Sequence, residues 1–359
     1  MVEKARVMVA MSGGVDSAVT AALLRDAGHE VAGVFLILAQ PDAEAQAERA
    51  ARIAARLGLP FQVLDLAQAF RDTVLAPFRH AYFAGRTPNP CVACNPGIKF
   101  GRLLEFCRGQ GADFLATGHY ARLDRPEKGG PVRVLAAADP AKDQTYFLCR
   151  LQQEQFARVL FPLGGLRKPE VYGLAARLGL SGWHGAESQD VCFLQGRDLA
   201  SFLIEDGARP CPGDIVAPDG TVIGRHRGVC FHTVGQRRGL GIPDATPYYV
   251  VRLDPTTNRI VAGKEADLWQ RGCLVRETNW TSGEPPAFPL RVQVRIRSRH
   301  RAAPAVVTTA GNGRLLVAFD EPQRAITPGQ FAVFYHGEEL LGGGEIETDL
   351  SESETRQSS

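Results

Sequence analysis

The sequence predicts an α/β architecture: an N-terminal parallel sheet with helices on both faces, then a small mixed central unit, then a C-terminal antiparallel β-barrel. Three observations carry this prediction. Apolar strand signals alternate with helically spaced segments through the first half, a Ser-Gly-Gly turn joins the first strand to the first helix, and beyond about residue 205 Gly, Pro and short alternating strands take over.

The run Val7-Met8-Val9-Ala10-Met11 reads as a buried strand, and Val15 to Leu24 has helical apolar spacing. Val31 to Leu38 reads as a second buried strand, the Ala-rich stretch Asp42 to Leu57 as a helix, and Phe61 to Asp65 as a third strand. Helix signals at Leu103 to Arg108 precede another strand, Asp113 to Gly118. Such alternation places ligands at the carboxyl ends of the strands. Gly213 to Val216 and Tyr248 to Leu253 read as strands of the central unit, and strand-turn-strand continues from about residue 275. The expected units are 1–204, 205–274 and 275–348, with a polar, disordered tail at 349–359.

The 359 residues suit two or three domains. The composition, 45% hydrophobic and 22% charged, is that of an ordinary globular protein. A net charge of +2 requires any nucleic-acid site to be a local basic patch. The opening residues lack a secretory apolar region and no apolar run reaches membrane-spanning length, so no membrane association is expected. Eight cysteines in that context point to a reducing, cytoplasmic compartment, where closely spaced pairs serve metal or redox chemistry.

The turn Ser12-Gly13-Gly14-Val15-Asp16-Ser17 is the strongest chemical signal. Two glycines let the backbone turn tightly and aim N–H groups at a ligand, and the helix N-terminus adds positive potential for an anion. No Gly-Lys-Ser/Thr follows, which excludes the kinase and GTPase loop. The hexapeptide resembles the pyrophosphatase-type loop of ATP-dependent adenylating enzymes, which release pyrophosphate and leave AMP on their substrate.

The second signal is Gly85-Arg86-Thr87-Pro88-Asn89-Pro90-Cys91-Val92-Ala93-Cys94-Asn95, where two prolines lead into a Cys-x-x-Cys. Cys107, Cys149, Cys230 and Cys273 read as small buried hydrophobes and Cys211 as incidental, whereas Cys192 is a third candidate for chemistry. Here the chain resembles the bacterial tRNA-specific 2-thiouridylases nearly end to end. The matching segments include the opening loop, Gly85 to Pro90, Ala116 to Arg122, Lys142 to Leu148, Thr233 to Gly241, Thr327 to Gln330 and Leu341 to Gly344.

That resemblance implies thiolation of the wobble uridine of tRNA, with ATP and Mg²⁺ used to adenylate the 2-oxygen. It implies Cys94 as nucleophile and Cys192 as persulfide carrier. ATP contacts fall on Ala10, Met11, Ser12, Gly13, Gly14, Val15, Asp16, Ser17, Leu36 and Gly118. Target-base contacts fall on Asn89, Pro90 and Cys91, and tRNA contacts on His119, Lys142, Asp143, Gln144, Arg297, Ser298 and Gln330. A sulfur donor (a carrier protein, a cysteine desulfurase or free sulfide) is implied as partner.

Many family members carry Asp where this chain has Cys91. The acid/base role is then absent or taken by Asp16, Asp143 or Asp190. Three thiolates, Cys91, Cys94 and Cys192, can instead hold a [4Fe-4S] cluster with one open iron, as in relatives with this cysteine pattern. The competing route has Cys192 carry a persulfide that Cys94 resolves, with Cys91 a bystander. Zinc binding, or an inert set, is the remaining reading.

From Arg291 to Arg301 the odd positions are Arg291, Gln293, Arg295, Arg297, Arg299 and Arg301, alternating with Val292, Val294 and Ile296. Strand alternation would put the guanidinium groups on one phosphate-tracking face. Arg225, His226, Arg227, Arg237 and Arg238 form a second candidate patch, while Trp183 and Trp280 read as packing residues. Two other functions share some of these features: amidation of a small molecule by an adenylating ligase, and RNA binding with a degenerate loop. The cysteine pattern and basic β domain argue against the first, the intact loop against the second.

Overall fold

A computed structural model describes residues 4–126, 129–180, 191–194, 196–205 and 207–350. Asp190 and Trp183, singled out above, lie outside the described residues, as does the tail beyond Leu350.

The first sheet contains β1 (Arg6–Ala10), β2 (Glu30–Ile37), β3 (Phe61–Asp65) and β4 (Phe114–Ala116). Two short strands follow, β5 (Arg122–Asp124) and β6 (Arg133–Leu135), and then β7 (Val159–Leu160), which returns to the first sheet. Its order is β3-β2-β1-β4-β7, with every pairing parallel. The chain winds one way from β1 to β3 and then crosses to the other side of β1. The order therefore reverses between β1 and β4, the place where open α/β sheets bind ligands. Val7, Val9, Val19, Ala21 and Ile53 pack on one face of the sheet, and Met8, Val34, Leu103, Leu115 and Tyr146 on the other. The strands and helices read from the sequence in this unit are observed to within a few residues, whereas β5, β6, β7 and the helical segments within residues 67–102 and at Lys168–Arg177 are not among them.

The central unit is a four-stranded sheet of β8 (Gly213–Val216), β9 (Val222–His226), β10 (Tyr249–Asp254) and β11 (Arg259–Gly263). It encloses Ile215, Val229, Leu240, Val250 and Ile260. The last unit comprises β12 (Trp269–Trp280), β13 (Leu290–Arg295), β14 (Ala303–Thr309), β15 (Leu315–Arg324), β16 (Phe331–His336) and β17 (Glu339–Leu350). Its six strands run in the order β12-β15-β14-β13-β16-β17, and β17 pairs back on β12, so the barrel is closed and has no edge within the ring.

One pairing crosses the units and two expectations are corrected. β5 pairs with β6, and β6 pairs with β17 of the barrel, Leu340 opposite Val134. The arginine-rich strand ends at Arg295, because turns occupy the following residues, so Arg297, Arg299 and Arg301 do not share its face. Asp349 and Leu350, expected in the tail, are the last residues of β17.

Candidate active site

The loop after β1 is held in shape by its own hydroxyls. Ser12 N donates to Ser17 Oγ at 3.2 Å, Gly14 N to Ser12 Oγ at 3.4 Å, and Ser17 Oγ to Gly14 O at 3.0 Å. Gly13 sits at φ +78°, and a Cβ there would lie 3.1 Å from the carbonyl oxygen of Gln46, so both backbone sign and space demand glycine. Gly14 caps the helix Val15–Asp26, whose first-turn N–H groups have no partner within the helix and face the loop's mouth. On the other side of the reversal point, Gly118 follows β4, and a Cβ there would come within 3.1 Å of Asp16. Ala10 and Leu36 lie at the carboxyl ends of β1 and β2, beside the same opening.

Asp16 is the charged centre of this loop. Its carboxylate accepts from Lys168 Nζ at 2.8 Å on both oxygens and from Tyr120 Oη at 2.8 Å. Lys168 opens the helix Lys168–Arg177, its side chain is only 10% exposed, and its ammonium also lies 4.9 Å from the ring centre of Tyr172. Burial and then the charge of Asp16 push the Tyr120 phenol far up, so it remains a donor. Lys168 and Tyr120 were not singled out from sequence. A lysine 152 residues from its partner has no local signature, and only the folded sheet brings it to the loop. Ser12, Asp16 and Ser17 are hard oxygen donors beside a phosphate cradle. Asp16 therefore suits Mg²⁺, which would neutralise phosphate charge there.

The cysteines occupy a neighbouring cleft. Asn89 caps the helix Pro90–Cys94 through its Oδ1, which accepts from Val92 N at 3.4 Å, and Cys91 and Cys94 share a face three residues apart. Cys94 is buried among Phe70, Val74, Phe78, Ile98 and Phe193. Phe193 is the anchor for Cys192: its ring packs edge-on against Phe70 and Phe78 at 6.0 and 5.2 Å and against Phe202 at 5.0 Å. The apolar cluster thus draws Cys192 to the helix of Cys91 and Cys94. Burial pushes the Cys94 thiol up to about 12, opposed by Lys99 and reinforced by Cys192 and Cys91. Cys91 and Cys192 are open to water on one side but crowded by the cleft walls, and burial raises both thiols. Cys107, Cys149, Cys230 and Cys273 are buried and Cys211 is exposed. The three cleft cysteines interact, yet among the described residues they are not gathered into a set that could hold a metal ion.

His119 joins the two sites. Its ring lies 5.5 Å from Phe100 and 5.7 Å from Phe161, and Nδ1 is 2.7 Å from Thr117 Oγ1. Burial, with Lys99 adding to it, holds the imidazole well below its ordinary range, so it is neutral near pH 7. Gly118 and Tyr120 approach Asp16 while His119 lies within the field of Lys99, the cation of the cysteine cleft. Consecutive residues of one segment therefore border both sites.

The other expected contacts are distributed differently. Asp143 is a structural residue in this state: its side chain is 2% exposed, bonded to Thr145 Oγ1 at 2.9 Å and Ala137 N at 3.2 Å, and paired with Arg295 at 2.7 Å. Gln144 Oε1 accepts from Tyr120 N at 2.9 Å, and Lys142 lies in the turn just before it. Gln330 donates to Thr87 O at 2.8 Å, which ties the barrel to the segment leading into Cys91. Arg297 is half-buried and donates to Arg324 O at 3.2 Å, next to the half-exposed Ser298. Arg291 is paired with Asp320, whereas Arg299 and Arg301 are exposed. In the central patch His226 is buried, so only its arginines face water. Arg237, Arg238 and Tyr248 line an open groove of about 630 Å³. Trp280 packs against Phe334, 5.4 Å between ring centres. No helix among the described residues is long and apolar enough to cross a membrane.

A parallel sheet with a glycine turn at its reversal point, an aspartate held by a lysine beside that turn, and three cysteines close by define the class as an α/β protein with a nucleotide-binding type of sheet. Comparison with known proteins agrees. The tRNA methyl transferase HUP domain model matches residues 5–196, the tRNA methyl transferase PRC-barrel domain model 201–264, and the aminomethyltransferase beta-barrel domain model 270–346. The chain is similar to the tRNA-specific 2-thiouridylase MnmA of Geobacter metallireducens, 44% identical over 98% of this chain and 100% of that one. It is also similar to those of Desulfotalea psychrophila (43%, over 94% and 98%) and Solibacter usitatus (44%, over 95% and 99%). The chain belongs to the tRNA-specific 2-thiouridylase family.

Proposed function

We propose that this protein replaces the 2-oxygen of the tRNA wobble uridine with sulfur in two stages: adenylation at the loop after β1, then sulfur delivery from Cys192 and Cys94. As a member of its family it is a sulfurtransferase that acts on tRNA and uses ATP. The observation that carries the two-stage reading is the segment Gly118-His119-Tyr120, which borders the nucleotide loop and the thiol cleft at once.

Oxygen on the uridine ring is a poor leaving group, and AMP attached to it is a good one. The 2-oxygen attacks the α-phosphorus of ATP and pyrophosphate departs. The first-turn N–H groups and the Lys168 ammonium stabilise the charge that develops on it. Mg²⁺, held by Asp16, would add charge neutralisation on the phosphates.

A sulfur donor leaves a persulfide on Cys192, the more accessible of the two thiols. Cys94 then attacks the inner sulfur of Cys192 and forms a Cys94–Cys192 disulfide. Its proton passes to the departing sulfide, which leaves as hydrosulfide. Hydrosulfide attacks the activated 2-carbon, the carbon–oxygen bond breaks, and AMP departs. A thiol reductant returns two electrons to the disulfide. Burial of Cys94 holds it protonated until a persulfide is presented, which restrains side reactions. Target-base contact by Asn89, Pro90 and Cys91, and tRNA contact by His119, Lys142, Gln144, Arg297, Ser298 and Gln330, belong to the same proposal. Asp143 would act there through Arg295.

With ATP, a persulfide donor and unmodified tRNA, the protein should form 2-thiouridine with AMP and pyrophosphate in equal amounts. ADP in place of AMP would overturn the adenylation step. Cys91→Ser should weaken hold on the target base, seen as a raised KM for tRNA, and still form the Cys94–Cys192 disulfide. Iron and sulfide in the anaerobically purified protein, lost together with activity in Cys91→Ser, would overturn the persulfide step.

A further inference from the structure

Lys99 has no part in the chemistry above, yet it is placed at its centre. The helix Pro90–Cys94 continues without a break into a π-helical segment, Asn95–Arg102. π-Helical hydrogen bonds join residues five apart, as Leu103 N to Ile98 O does here. Residues five apart therefore stack, and Cys94 and Lys99 are five apart. Ordinary α-helical winding would turn Lys99 well away from Cys94. The widened turn is a local departure from the commoner helix, and it aims a cation at a thiol.

Three further facts define the place. The charge of Lys99 acts on the sulfurs of Cys91, Cys94 and Cys192, and on the imidazole of His119. Lys99 is half-buried, and among the described residues it forms no ion pair with a carboxylate. His119, between Phe100 and Phe161, forms a neutral, largely apolar wall. A half-buried, unneutralised ammonium facing three sulfurs is a receptor for an anion.

We propose that Lys99 is the positioning cation for anionic sulfur in this cleft, holding the terminal sulfur of the Cys192 persulfide and then the hydrosulfide released from it. The proposal rests on the persulfide reading above. It gives the free hydrosulfide a site between its release at Cys192 and its attack on the base, so that it is not lost to water. It also gives the cleft a preference for small sulfur anions over neutral thiols.

The test reads local charge directly and needs no turnover. The protein is alkylated under identical conditions with anionic iodoacetate and with neutral iodoacetamide, and the rate ratio is measured at each cysteine by peptide mass spectrometry. Thiolate fraction cancels in that ratio, and exposed Cys211 serves as internal reference. The iodoacetate preference at Cys192 should exceed that at Cys211 by about tenfold. Lys99→Met should bring it to the Cys211 value and Lys99→Arg should keep it. In thiolation driven by sulfide, Lys99→Met should raise the KM for sulfide about tenfold with a smaller change in kcat. An unchanged alkylation ratio in Lys99→Met overturns the proposal, as does an unchanged KM. If Lys99→Met is poorly folded, Lys99→Gln is read in the same way. A protein that shows the charge preference but forms no thiouridine would instead refute the persulfide reading, so the two failures are distinct.

Discussion

Replacing Lys168 with Met removes the ammonium that Asp16 holds through two 2.8 Å contacts, and leaves that carboxylate with Tyr120 as its remaining partner from this pair of donors. Removing one partner of a fully buried ion pair costs about 3–5 kcal/mol. Here Lys168 is 10% exposed but Asp16 is 35% exposed, so water recovers part of the loss and about 2 kcal/mol is the expected cost. For a unit of this size that lowers the Tm by about 4–8 °C. In the proposed reaction the same ammonium faces the phosphates of ATP, and its loss should weaken ATP binding by about 10- to 100-fold. Thermal unfolding with and without ATP, and calorimetric titration with ATP, measure both effects. Asp16→Asn in the Lys168→Met background should restore much of the Tm but not the ATP affinity, because it removes the unpaired charge without supplying a cation. An unchanged Tm together with unchanged ATP affinity in Lys168→Met would refute the electrostatic account of the loop.

Alkylation of Cys94 should keep rising beyond pH 10, since burial pushes its thiol up to about 12, and a plateau near pH 8 would contradict that environment. Burial holds His119 well below its ordinary range and His232 and His300 at about 4, so the unfolded chain takes up protons first as pH falls below 6.5. Stability should accordingly be present above pH 6.5 and decline toward pH 5. A Tm that stays flat between pH 7 and pH 5 would reject this linkage. Arg299→Ala with Arg301→Ala should weaken tRNA binding and reduce its salt slope by about 1–2, whereas Arg291→Ala, whose guanidinium is already paired with Asp320, should have a smaller effect. Equal effects from exposed and paired arginines would show that tRNA does not read this difference.

Features governed by local rules were legible in the sequence. The glycine turn and its anion site follow from six consecutive residues, because backbone freedom and a helix N-terminus are local properties. The alternation of strand and helix follows from apolar period, and the Cys-x-x-Cys places two sulfurs on one helical face by spacing alone. The arginine repeat misled because alternation says which face a residue would take, not where the strand ends. Arg295 is the last strand residue, and it is spent on Asp143 from another unit.

The tertiary structure decided what depends on residues far apart in the chain. Lys168 reaches Asp16 only because the sheet reverses its order between β1 and β4. Cys192 reaches Cys94 only because Phe193 is buried in the same aromatic cluster. Lys99 turns toward the cysteines through a π-helical segment that apolar spacing does not reveal. The sequence by itself determined that an anion-binding turn and a close cysteine pair are present, since these reside in residue types and short spacings, and its resemblance to the 2-thiouridylases implied sulfur transfer. Their union in one site was decided by the fold, because charge pairing and apolar burial act across distances in space that the order of residues does not record.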